Sequence, residues 1–123
     1  MYALLGEMRY DKHNPPKVET NGTFAYVEEK PWILNATVKD NILFEQPMQK
    51  ELYADAVKYS CLEQDLKVLI RNDETEIGDY FRNSILLLGE KGVNLSGGQK
   101  ARVSLARAIY MKKDIYLLDD PLR

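Results

Sequence analysis

The sequence predicts an α/β fold from three observations. Thr23-Phe24-Ala25-Tyr26-Val27 is β-branched and aromatic and reads as a short strand. Ser96 can cap a helix through its hydroxyl while Gln99, three residues on, reaches back to the cap, a capping-box pattern. Ile115-Tyr116-Leu117-Leu118 is a continuous apolar run ending in two aspartates, which suits a buried parallel strand with its C-terminal edge toward a ligand.

The remaining elements follow in order. Residues 1–8 read as the end of a helix with Gly6 near its close, and residues 11–22, with Pro15, Pro16 and Gly22, as a loop. Thr37 and Asp40 form a second capping-box arrangement, opening a short helix with Val38, Ile42 and Leu43 on its apolar face. Helical spacing recurs over 48–60 through Leu52, Ala56 and Tyr59, then over 62–70 through Leu62, Leu66 and Leu69. Arg71 to Glu74 is a charged turn. In the helix that Ser96 opens, Ala101, Leu105 and Ile109 lie on successive turns, and Lys112 and Lys113 fall in the last turn, where cations complement the helix dipole.

Composition narrows the function. The 123 residues make one domain or part of one. A net charge of -2 argues against a general binder of nucleic acid or anionic membrane, which needs a basic excess. The single cysteine, Cys61, excludes an intrachain disulfide framework and reads as a small core residue on a helix. The single histidine, His13, reads as a solvated loop residue. No stretch approaches the roughly 20 apolar residues of a membrane span, the longest candidate being Ile85-Leu86-Leu87-Leu88, and the N-terminus has no secretory pattern. Direct membrane insertion by this segment is therefore not expected.

Two constellations carry chemistry. In Asn94-Leu95-Ser96-Gly97-Gly98-Gln99, a helix start presents unpaired N–H groups and partial positive charge. The glycines let a phosphate approach the backbone, and the Ser96 hydroxyl adds a donor. In Asp114-Ile115-Tyr116-Leu117-Leu118-Asp119-Asp120, an apolar strand delivers two carboxylates side by side, one suited to hold Mg²⁺ through water and the other to orient an attacking water. Each alone has a plain structural alternative: a capped helix after a glycine turn, or a strand ending in a polar turn before Pro121. Joined by one helix at a set spacing, they are specific.

At these residues the chain resembles the ATP-binding-cassette (ABC) transporter ATPases. Leu95-Ser96-Gly97-Gly98-Gln99 matches the family's signature motif, and Leu117-Leu118-Asp119-Asp120 the end of its Walker B strand. The resemblance continues through Ala101 to Ala108, Tyr26-Val27, Pro31-Trp32-Ile33 and Asp40-Asn41-Ile42-Leu43-Phe44, and covers nearly the whole chain. It is strongest to the C-type, multidrug-resistance-associated subfamily, and there to the first of two nucleotide-binding domains. The Pro31 and Asp40 segments favour transporters over the related DNA-repair and chromosome-structure ATPases.

The resemblance implies a partial P-loop NTPase core with a helical signature subdomain over residues 1–123. Two such domains meet head to tail. Leu95, Ser96, Gly97, Gly98 and Gln99 would serve ATP held by a second nucleotide-binding domain, Asp119 would belong to the Mg²⁺ site of its own domain, and Asp120 would occupy the catalytic-base position. The implied partners are that second domain and the coupling helices of transmembrane domains, which the start of a loop at Thr75-Glu76-Ile77-Gly78 would contact. The implied location is the cytoplasmic face of a membrane.

Departures from the family pattern carry their own expectations. Asp120 stands where active sites have Glu, so hydrolysis should be slow or absent. No G-x-x-x-x-G-K-[ST] pattern occurs, and residues 1–7 resemble the helix just after that loop, so the isolated chain is expected to be inactive as an ATPase. The family's Gln after the Tyr26-Val27 strand is replaced by Glu29, with Glu28 the other candidate; a carboxylate accepts hydrogen bonds but cannot donate them. Residues 79–89 interrupt the passage from Gly78 to Glu90 and read as an insertion, either a gene-model artefact or a segment that packs on a partner. Arg123 replaces a usual Ser, and the later D-loop and switch histidine are absent. The chain alone is expected to expose apolar surface and to be marginally stable. The alternative function is a non-catalytic module that lends its signature to another ATPase domain or inhibits it; a third reading is a pseudogene product that never accumulates.

Overall fold

The computed structural model describes residues 4–6, 9, 13, 18–78 and 92–121. The expected insertion over 79–89 and the substitution at Arg123 lie outside the described residues, as does most of the expected helix over 1–8, of which Leu4 to Gly6 forms a turn. His13 is exposed in a turn, as its polar surroundings predict.

Strand β1 (Phe24–Val27) and strand β4 (Ile115–Leu118) pair in parallel, Phe24 opposite Ile115 and Val27 opposite Leu118. Asp114 fastens the start of this pair: its Oδ2 accepts from the Thr23 N–H at 2.7 Å and from Thr23 Oγ1 at 2.9 Å. Gly22 precedes that contact at φ +125°, and a Cβ there would lie 2.9 Å from the Asp114 Cβ, so a side chain is excluded on both counts. The expected parallel strand is present, but it is not buried. Tyr116 and Leu118 are 41% and 40% exposed, because helix packing reaches the sheet through Ala25 and Val27 of β1 while the outer face of β4 stays open among the described residues.

The second body is helical. A short antiparallel pair, β2 (Ala36–Thr37) with β3 (Glu76–Ile77), leads into α1 (Val38–Leu43). Thr37 Oγ1 accepts from the Asp40 N–H at 2.9 Å, as the capping pattern predicts. α2 (Lys50–Tyr59), α3 (Glu63–Val68) and a 3-10 turn (Asn72–Glu74) follow, and α4 (Gly97–Tyr110) crosses the middle of the molecule. Val38 and Ile42 are fully buried with Val103 and Ala106 of α4; burial of an aliphatic side chain of this size stabilises by about 1.5–3 kcal/mol.

The helical spacing locates the elements better than it locates their faces. α2 buries Tyr53, Ala56 and Val57, while Tyr59 points outward. α4 buries Val103, Ala106 and Tyr110 toward α1 and α2, Ala108 toward β1, and Ser104 with Arg107 toward Trp32. The expected stripe of Ala101, Leu105 and Ile109 is only half-buried, because a helix packed on several sides has no single apolar stripe. Cys61 is exposed rather than in the core: it turns the chain between α2 and α3 at φ 59°, and Leu62 takes the buried place. Lys112 and Lys113 lie beyond the helix, which ends at Tyr110 because Lys112 adopts φ 46° and reverses the chain toward β4.

Arg107 joins these layers. It is 5% exposed, and its Nε and Nη2 donate to the Asn41 carbonyl and Asn41 Oδ1 at 2.8 and 3.0 Å. Its Nη1 lies 3.4 Å from the Trp32 carbonyl, and its guanidinium sits 3.9 Å from the centre of the Trp32 ring. Asn41, also buried, accepts from the Leu34 N–H at 2.7 Å and donates to the carbonyls of Leu34 and Thr37, both at 3.0 Å. Burial pushes the Arg107 guanidinium down to about 10, so it remains charged at neutral pH.

Two outcomes follow from this packing. Arg107→Met keeps much of the volume but removes the Arg107 donor from the buried Asn41 carbonyl and leaves Asn41 Oδ1 only the Leu34 N–H, and is expected to destabilise the chain by about 3 kcal/mol, read from the urea midpoint. Bonds from the Thr23 N–H and hydroxyl hold the Asp114 carboxyl below the usual carboxylate range. A depressed carboxylate contributes stability above its unfolded pKa, and that contribution is lost as pH falls through the folded value. Urea titrations across the acid range should therefore show a shallower acid decline for Asp114→Asn than for the parent.

Candidate functional site

Ser96 holds the N-cap of α4 in extended conformation, φ -63° and ψ 160°. Its Oγ accepts from the Gln99 N–H at 3.2 Å, and Gln99 Oε1 accepts from the Ser96 N–H at 2.9 Å, completing the capping box. The first N–H groups of a helix have no intrahelical acceptor. Ser96 takes that of Gln99, which leaves the amides of Gly97 and Gly98 at the positive end of a helix roughly 21 Å long. A Cβ at Gly97 would meet no atom within 4 Å, so the glycine leaves open space in front of the backbone. Leu95, immediately before, is buried and anchors the segment in the helical core. These features suit close approach of a phosphate.

The side chain of Gln99 is held at both ends. Its Nε2 donates to Asp65 Oδ1 on α3 at 3.3 Å. Asp65 also accepts from Arg102 Nε at 2.5 Å and Nη2 at 2.9 Å. The Arg102 hydrogen bonds hold the Asp65 carboxyl below the usual carboxylate range. Sequence reasoning missed Asp65, Asn41 and Arg107, because the contacts of Asp65 with Gln99 and Arg102 and of Arg107 with Asn41 and Trp32 join residues 34 to 75 apart, and no local pattern links them.

A second group of candidates lies at the common C-terminal edge of β1 and β4. The Asp119 N–H donates to the Val27 carbonyl at 2.9 Å, and Tyr26 Oη lies 3.4 Å from Asp119 Oδ2, on the strand beside it. Asp120 follows at φ 45°, a left-handed conformation that Asp tolerates better than most side chains. Glu28 and Glu29 are exposed just beyond β1. Parallel pairing thus brings Glu28, Glu29, Asp119 and Asp120 to one edge of the sheet. Among the described residues, no three acidic, His or Cys side chains converge to hold a metal. The Asp119 carboxylate is the oxygen-donor type that hard cations such as Mg²⁺ take.

Comparison with known proteins agrees with this arrangement. The family model described as ABC transporter matches residues 3–123. Multidrug resistance protein mrp-7 of Caenorhabditis elegans is 50% identical over 99% of the chain, and ABC transporter C family member 8 of Dictyostelium discoideum is 50% identical over 98%. ATP-binding cassette sub-family C member 3 of Rattus norvegicus is 48% identical over 98%. The chain spans 7% of the length of each of these three relatives. With a glycine-fronted signature helix leading into an acid-tipped parallel strand, and with the family match along its length, the chain belongs to the ABC transporter family and carries part of its P-loop ATPase fold, with C-type, multidrug-resistance-associated proteins among its relatives.

Proposed function

We propose that this chain is the signature-bearing part of an ATPase domain, the first of two in a C-type exporter, and that it couples ATP binding and hydrolysis to transport from the cytoplasmic face of a membrane. The observation that carries this reading is the start of α4, where the space before the Gly97 backbone is open to a phosphate, with the Ser96 hydroxyl and the Gly98 amide on either side of it. In this reading the ATP is held by the P-loop of the second domain, and Leu95, Ser96, Gly97, Gly98 and Gln99 close over its γ-phosphate. Asp119 serves Mg²⁺ in its own domain.

Asp120 takes the catalytic-base position. Its side chain is one methylene shorter than Glu, so it reaches the attacking water poorly, and hydrolysis of the ATP bound in its own domain, beside Asp119, is slow. Glu29 takes the position of the family's Gln and adds negative charge near the triphosphate, which weakens the sensing of nucleotide. The Thr75 to Gly78 segment faces the coupling helices of the transmembrane domains. The pairing of Ile77 with Val93, closed by a bond from the Val93 N–H to the Glu76 carbonyl at 2.8 Å, supports reading residues 79–89 as an insertion between elements that are already joined.

Phosphate release by the full-length protein tests the reading. Asp120→Glu should raise ATP hydrolysis by at least about tenfold, restoring the reach of the base. Gly97→Asp places a carboxylate in the open space before the helix and should abolish ATP-dependent turnover while leaving the urea midpoint of the chain near that of the parent. Unchanged turnover in Gly97→Asp would overturn the assignment of this helix start to nucleotide.

A further inference from the structure

Asp65 lies outside the signature segment, on a different helix, yet touches two of the side chains that form the first turn and a half of α4. Its side chain is only 14% exposed, unlike the carboxylate of a solvated surface ion pair. It accepts two bonds from Arg102 and one from Gln99. Because a carboxylate only accepts, the contact settles which end of the Gln99 amide faces α3: Nε2 points to Asp65, and Oε1 is left for the Ser96 N–H. The amide plane is thereby fixed between two partners. The same carboxylate occupies Nε and Nη2 of Arg102, and Nη1 is left beside Gly98, 3.4 Å from where a Cβ would stand.

We propose that Asp65 is a positioning residue for the anion site at the start of α4, acting through Gln99 and Arg102 without touching the nucleotide. The inference rests on the reading that this helix start meets a phosphate. Its physical content is preorganisation. A Gln side chain free to rotate about its χ angles must be ordered when the ligand arrives, whereas one already held at both ends loses little freedom. Fixing Arg102 against Asp65 likewise holds a long, flexible cation in one place beside Gly98, so its side chain need not be ordered when the phosphate arrives.

The test compares the parent with Asp65→Asn, which is isosteric and lacks the charge, and with Asp65→Glu, which keeps the charge at a longer reach. Two measurements are made. In the chain itself, solvent exchange of the Gln99 side-chain amide protons is followed by NMR. In the full-length protein, retention of radiolabelled ATP with Mg²⁺ is timed. Asp65→Asn should speed the Gln99 exchange and shorten ATP retention, each by about tenfold, with Asp65→Glu recovering part of both. Parent-like exchange in Asp65→Asn overturns the proposed hold on Gln99. Fast exchange with parent-like ATP retention shows a hold without consequence for the site and overturns the positioning role. If Gly97→Asp also retains ATP as the parent does, the nucleotide reading itself has failed, and the exchange data separately report whether Asp65 holds Gln99. Should Asp65→Asn not fold, Asp65→Glu and the acid titration of the parent's Gln99 exchange give the same decision.

Discussion

A buried guanidinium with amide and carbonyl partners organises this molecule. Arg107 is sequestered between Trp32, Phe44 and Asn41, and the partners it shows are two oxygens of Asn41, a main-chain carbonyl and the faces of aromatic rings. Burying a cation is costly unless its donors are satisfied, and here the Asn41 oxygens and the Trp32 stack offset that cost. Asn41 passes the constraint on to the backbone of Leu34 and Thr37, so one pair of side chains fixes α4 against α1 and against the segment that follows β1.

The functional geometry depends on that placement. Val103 and Ala106 lock one side of α4 into the helical core, Ala108 packs against the sheet, and Arg107 holds the side between them. With the helix body immobilised on several sides, its first turn can be left open without fraying. At the other end, Tyr110 donates to the Pro47 carbonyl at 2.6 Å and accepts from the Gln49 N–H at 2.9 Å, tying the close of α4 to the start of α2. The chain then turns at Lys112 into β4, and the bond from the Asp119 N–H to Val27 fixes where the acidic edge begins.

Each candidate half-site is chemically one-sided. The start of α4 supplies donors: two glycine amides, a hydroxyl and a fixed amide. The sheet edge supplies acceptors: Asp119, Asp120, Glu28 and Glu29. Among the described residues no three acidic, His or Cys side chains converge.

The capping box at Ser96, the N-cap at Thr37, the strands at Phe24–Val27 and Ile115–Leu118 and the two chemical constellations were legible because each depends on residues close in sequence; the reciprocal bond that would complete a box at Thr37 is not made, since the Asp40 carboxylate accepts from the Thr37 hydroxyl. A hydroxyl three positions from its amide, or an apolar run ending in carboxylates, is read directly from the chain. The buried faces of α2 and α4 were not, since periodicity reports one apolar stripe and these helices pack on several sides; nor was the exposure of Cys61, which follows from a left-handed turn. The sequence by itself determined the family, the two parallel strands and the order of the helices between them, and it named the candidate residues; it did not show the short pair of β2 with β3, whose strands are two residues each. The tertiary structure alone decided that Asp65 holds Gln99 and Arg102 and that Asn41 holds Arg107. Those contacts join residues far apart in the chain, and hydrogen-bond geometry between such residues exists only once the helices have packed.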